Sequence, residues 1–178
     1  AVAAATEAAK SWRNTSQKTR VELIEAIAAA LEARADEFAY IESLDTGNTH
    51  GPMKNDVHKA VERMRFYCGL AYEIKGMTVP STPENIHLTL REPYGVVGRI
   101  IPFNHPIGFA ASRISPALIS GNTIIVKPSE QAPLSASLLA EICAELAPPG
   151  VINIVTGDRV TGDALVRDPR VKRIAFIG

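Results

Sequence analysis

From Gly95 onward the chain alternates short, nearly continuous apolar runs with helical stretches, and this alternation limits the folds open to it. Gly95-Val96-Val97-Gly98-Arg99-Ile100-Ile101 reads as a buried strand ending at Pro102. Ile107 to Ser120 reads as a helix closed by Gly121 at C′. Thr123-Ile124-Ile125-Val126 is a β-branched strand, a helix starting near Pro133 runs to about Leu146, and Val151-Ile152-Asn153-Ile154-Val155 is another strand. A short helix over Thr161 to Val166 and a strand over Lys172 to Ile177 complete the series. Short strands without a polar face are buried on both sides. The predicted class is therefore α/β: a Rossmann-like parallel sheet with helices on both faces. Right-handed crossovers bring the strand C-termini to one edge, where such sheets bind ligands.

The first half has a different character. Of the twelve prolines only Pro52 precedes residue 80, so this half is predicted to be a helical segment in front of the sheet. Val21, Ile24, Ala28, Leu31, Ala35 and Phe38 recur at steps of three and four and form one stripe on a helix beginning near Ser16. A second helix is expected from Asn55 or Asp56, carrying Val57, Ala60, Val61, Met64 and Cys68 inward and stopping by Gly76. Thr46-Gly47-Asn48 and His50-Gly51-Pro52 mark a loop between them. Ile86-His87-Leu88-Thr89-Leu90 alternates at period two, as a strand with one wet face does.

Charge excludes several function classes. Nineteen basic residues balance nineteen acidic ones, and no cluster of Lys and Arg stands out. Nucleic acid and a membrane surface are therefore not expected as partners. The apolar runs are too short to span a bilayer. Ala1 to Lys10 lacks the basic start and apolar stretch of a secretory signal. Cys68 and Cys143 lie far apart with no metal spacing and read as buried free thiols, which makes the cytoplasm the expected location. His50, His58, His87 and His105 form no ligating pair, so no metal is expected.

Polar groups gather where the predicted strands end. The first strand runs into Pro102-Phe103-Asn104-His105-Pro106, the second into Lys127-Pro128-Ser129-Glu130, the third into Thr156-Gly157-Asp158-Arg159, and the last into Gly178. Asn104, held between two prolines, either donates its amide N–H to a developing oxyanion or closes an Asx-turn. Lys127 and Glu130 either hold the hydroxyls of a ribose or form a local ion pair. Arg113 either faces the site from the following helix or caps a surface pair. The glycine-rich fingerprints of dinucleotide and phosphate loops are absent, and Gly157 to Gly162 carries Arg159 where a middle glycine would stand.

The run Glu92 to Pro106, with Pro116-Ala117-Leu118, Gly121-Asn122-Thr123, Lys127-Pro128-Ser129-Glu130, Pro149-Gly150-Val151-Ile152-Asn153 and Ser43-Leu44-Asp45-Thr46-Gly47, resembles the NAD(P)-dependent aldehyde dehydrogenase superfamily. The resemblance covers essentially the whole chain. It implies that residues 1–178 are the N-terminal part of the family's cofactor-binding domain, with about 84–92 a strand of its oligomerisation sheet and the catalytic domain absent. It implies that Asn104 is the oxyanion amide and that Ile101, Pro102 and Phe103 lie along the nicotinamide ribose. Lys127 and Glu130 would hold the adenine ribose with Ser129 nearby, Gly157 would border the adenine, and Gly178 would begin the pyrophosphate turn. Arg159 stands where a glycine is frequent, Arg113 where many members have lysine, and Ile177 where threonine is frequent.

The activity so implied is oxidation of an aldehyde to its acid through a cysteine thiohemiacetal and thioester, by a homodimer or homotetramer. NAD is favoured over NADP because Glu130 would repel a 2′-phosphate. Neither cysteine here matches the family's nucleophile, and the general-base glutamate has no counterpart, so the segment alone is expected to be inactive. Two other readings stand beside this one: a truncated, non-catalytic nucleotide-binding or assembly module, and an acylating relative of the same fold.

Overall fold

The computed structural model describes residues 1–178. Helices α1 (Val2–Trp12), α2 (Gln17–Ala33), α3 (Ala35–Thr46) and α4 (His50–Gly69) come first, followed by a single 3₁₀ turn at Ala71–Glu73. A hairpin of β1 (Thr78–Thr82) and β2 (Asn85–Leu88) leads into the alternating half. That half comprises β3 (Val96–Ile100), α5 (Pro106–Ile119), β4 (Thr123–Lys127), α6 (Leu134–Leu146), β5 (Ile152–Ile154), α7 (Arg159–Arg167) and β6 (Val171–Phe176).

The apolar stripe from Val21 to Phe38 is carried by two helices, not one. The backbone at Arg34 (φ −105°, ψ 19°) leaves helical geometry, ending α2 and starting α3. Ser16 caps α2 by accepting the Thr19 N–H at 3.0 Å, and Gly47 ends α3 in the left-handed region at φ 76°. Helix α4 starts at His50, ahead of Asn55. Pro52 sits in its first turn, where a missing N–H breaks no helical bond, so the expected loop shrinks to the residues just after Thr46. Helix α7 likewise begins earlier than expected, at Arg159 and not at Thr161: Asp158 caps it, accepting the Val160 N–H at 2.8 Å.

The four later strands form one parallel sheet in the order β5-β4-β3-β6. Both faces are covered. Val97, Ile124 and Val126 point into the larger core with α2, α4, α5 and α6, through Ile24, Leu31, Val61, Ile114, Leu118 and Leu139. Val96, Ile125 and Val171 point the other way, against Ala5 of α1 and Leu165 of α7. Because the helical half and the sheet half share the larger core, they fold as one unit. Buried Arg20 reinforces the joint by donating to the carbonyls of Trp12, Arg13 and Ile119 at 2.9–3.2 Å.

Chain order reverses at β3. The path runs outward through β4 and β5, then returns across to place β6 on the other side of β3. A crevice opens at the C-terminal end of the strand where connections diverge in this way.

Every residue of β1 and β2 is exposed, and no other element of these residues packs on either face of the hairpin. Two strands alone offer no layer to cover either side.

Candidate functional site

At the crevice a cleft of about 470 Å³ opens between the ends of β3, β4 and β6 and the start of α7. Ile101, Pro102, Phe103, Lys127, Ser129, Glu130, Arg159 and Gly178 all line it, together with Asp158, Val166 and Phe176. Asn104 and Arg113 do not. Asn104 lies on the loop that continues from Phe103, while Arg113 lines two recesses farther along α5.

Lys127 ends β4, and its side chain is only 5% exposed, so the ammonium is fixed at the cleft floor. Its Nζ lies 3.3 Å from Glu130 Oε2, and Glu130 itself is half-exposed on the connection to α6. A hydrogen bond from its own backbone, then the Lys127 ammonium, holds the Glu130 carboxyl below the ordinary range. The pair therefore offers one buried donor and one ionised acceptor side by side, the complement of a vicinal diol. Ile100, Val166 and Phe176 supply apolar walls for a flat ring.

The first turn of α5 has few free donors. Pro106 at its start has no N–H, and the Ile107 N–H is already taken by Glu42 Oε1 at 2.5 Å. That helix end has little left with which to cradle a pyrophosphate. Glu42 is itself fully buried, accepts the Ser135 hydroxyl at 2.7 Å, and is pushed up to about 7 by burial.

The Asn104 loop is tied at three points. Asn48 Nδ2 donates to the Asn104 carbonyl at 3.1 Å, His105 Nδ1 meets Asp56 Oδ2 at 2.5 Å, and Ile107 is held by Glu42. The Asn104 side chain is exposed and makes no hydrogen bond within the chain, so it closes no Asx-turn and its amide is free to donate.

Gly157 does not line the cleft but sets its rim. It takes φ 138°, and a Cβ there would lie 2.1 Å from Thr161 Oγ1 and 2.8 Å from Thr161 Cβ. Gly157→Ala is expected to push the first turn of α7 outward and lower stability by about 1–2 kcal/mol, read as a drop in Tm.

Neither thiol is poised for chemistry. Burial pushes both Cys68 and Cys143 up to about 12, far from a thiolate at neutral pH. No group of three or more His, Cys, Asp or Glu side chains is placed to hold a metal ion, and no helix is long and apolar enough to cross a membrane.

Two features went unread in the sequence. Glu42 sits on the buried stripe Ala35, Phe38, Ala39 of α3, where a lone carboxylate is a signal in itself. Asp56, Lys59, Ala60 and Arg63 recur at helical steps and share one face of α4, beside the Asn104 loop.

The sequence model described as "Aldehyde dehydrogenase family" matches residues 1–178. An aldehyde dehydrogenase, TropH, of Talaromyces stipitatus is 40% identical over all of this chain and 35% of its own length. A putative aldehyde dehydrogenase, DhaS, of Bacillus subtilis is 41% identical over 94% of this chain and 34% of its own. Among solved structures, an NAD-dependent aldehyde dehydrogenase from Sinorhizobium meliloti superposes with a TM-score of 0.93 at 36% identity, over 98% of this chain and 36% of that one. An NAD⁺ complex of an aldehyde dehydrogenase from Bacillus cereus gives 0.93 at 35% identity, over 99% and 38%. The chain thus spans about a third of the length of the relatives it matches.

Proposed function

The chain belongs to the aldehyde dehydrogenase family, and from that premise we propose that these residues build the cofactor side of an enzyme that oxidises an aldehyde to a carboxylic acid with NAD⁺. The observation that carries the reading is the buried Lys127 ammonium beside the ionised Glu130 carboxylate at the floor of an apolar-walled cleft. Glu130 accepts from the adenine-ribose hydroxyls while Lys127 donates to them, with Ser129 alongside. Ile101, Pro102 and Phe103 lie along the nicotinamide ribose, and the backbone from Gly157 borders the adenine. Gly178 lies at the pyrophosphate. When bound, the nicotinamide accepts a hydride from the substrate carbon.

Asn104 donates its amide to the carbonyl oxygen of the aldehyde as negative charge gathers there. The nucleophile that forms the thiohemiacetal and thioester comes from outside these residues, since both thiols here are buried and protonated. The hairpin, with Val79, Ile86 and Leu88 exposed, joins the sheet of a second copy in a homodimer or homotetramer. Two buried free thiols fit a reducing compartment, and the cytoplasm is the proposed location.

The choice of NAD rests on charge. A 2′-phosphate on the adenine ribose would sit against the Glu130 carboxylate. Titrating NAD⁺ and NADP⁺ against the full-length protein is expected to show tighter binding of NAD⁺; tighter NADP⁺ overturns the choice. Lys127→Ala is expected to weaken NAD⁺ by about tenfold, the loss of one charge-assisted contact. An unchanged Kd would remove the pair from the cofactor site.

A further inference from the structure

Glu42, on α3, is fully buried, and one of its oxygens serves two other helices. Oε1 accepts the Ile107 N–H at 2.5 Å and the Ser135 hydroxyl at 2.7 Å. Ile107 lies in the first turn of α5, three residues beyond Asn104. Ser135 lies in the first turn of α6, five residues beyond Glu130. A single atom thus joins the two connections that leave β3 and β4 at the candidate site.

The same end of α3 holds each connection a second time. Asp45, one turn along the same face, accepts the Leu134 N–H at 3.0 Å. Asn48, just past the helix, donates to the Asn104 carbonyl at 3.1 Å. Pro106 lies between Asn104 and Ile107, and Pro133 between Glu130 and Ser135. Both stiffen these short spans, so a displacement of either helix start is passed on to the site residues.

Packing does not account for a carboxyl at this position. Ala35, Phe38 and Ala39 on the same buried stripe are apolar, and an apolar side chain would fill the space without a desolvation cost. Apolar contacts tolerate sliding, whereas a hydrogen bond fixes distance and direction. Two bonds on one oxygen therefore set α5 and α6 relative to each other. With them is set the Asn104 amide relative to the Lys127–Glu130 pair.

We propose that Glu42 is a positioning residue for the reaction: its Oε1 holds the carbonyl-binding loop and the adenine-ribose loop at one fixed spacing. The proposal rests on the reading of those two loops given above. Glu42 acts through them, keeping a nicotinamide anchored by its adenine ribose in line with a carbonyl held at Asn104. Reacting centres tolerate little misplacement, and an error of about 1 Å can cost about 10²-fold in rate.

The test uses the full-length protein with NAD⁺ and either butanal or benzaldehyde, well below its Tm. Glu42→Met keeps the volume and removes the acceptor. Its kcat is expected to fall about tenfold or more and its Kd for NAD⁺ to rise about threefold. Glu42→Gln keeps the acceptor, and both values should return to within about twofold of wild type. Ser135→Ala releases α6 alone, so Kd for NAD⁺ should rise as in Glu42→Met while kcat falls less. That variant decides the matter if Glu42→Met does not fold, and an unchanged Kd in it overturns the proposal. So does a Glu42→Met protein with a lowered Tm but wild-type kcat and Kd, or a Glu42→Gln protein as impaired as Glu42→Met. Each of these leaves the aldehyde dehydrogenase reading standing. A wild-type protein that oxidises neither aldehyde overturns both.

Discussion

Replacing Asn104 by Ala is expected to lower kcat of the full-length protein by about 10²–10³-fold, the range for loss of one oxyanion donor. The size of the effect depends on how little the amide must reorganise. Pro102 and Pro106 flank its loop. Asn48 grips the Asn104 carbonyl at 3.1 Å, and Asp56 grips His105 at 2.5 Å. The backbone is thus fixed from α4 and from the turn before it, while the side chain stays free of internal partners. A donor on so fixed a backbone has only its own rotamer to settle when charge develops on the carbonyl oxygen. The Asn104→Ala variant would keep those tethers intact, because they involve the backbone at this position and its neighbours. NAD⁺ affinity and Tm should therefore hold while kcat falls. An unchanged rate would take Asn104 out of the mechanism.

The sheet was legible because burial on two faces leaves a chemical trace: β-branched runs such as Ile124-Ile125-Val126 have no reason to be wholly apolar otherwise. The convergence of Pro102, Lys127 and Gly178 on one edge followed from parallel topology alone. Helix starts were less legible. Periodicity reports which face is buried, not where the backbone turns, so the break at Arg34 and the early start of α4 at His50 left no mark on the apolar stripe. Strand β1 was hidden because Thr78-Val79-Pro80 contains a proline and buries nothing. The basic face of α4 and the buried Glu42 were visible as spacings, but their meaning required partners distant in sequence. Ile107 lies 65 residues from Glu42 and Ser135 lies 93 away.

Glu42 makes stability fall as the pH rises. Burial lifts its carboxyl from an ordinary value of 4.5 to about 7, against the opposing effect of the bonds from Ser135 and Ile107. Between those two values the folded chain holds a proton that the unfolded chain has released. Unfolding is therefore penalised most below pH 4.5, and that advantage drains away as the pH approaches and passes 7. At 1.36 kcal/mol per pH unit, the interval amounts to about 3 kcal/mol lost by pH 8. Glu42 Oε1 accepts both hydrogen bonds, whereas Oε2 is buried without a partner. Glu42→Gln preserves the accepting oxygen and removes the ionisation. The difference in unfolding free energy between variant and wild type, measured in urea at pH 5, 6, 7 and 8, should grow in favour of the variant with each step. His105 and Asp56 also face this region, and both proteins carry them. Parallel curves for the two proteins would show that Glu42 is ionised at every pH tested, and that the tether on Ile107 is an ordinary carboxylate cap.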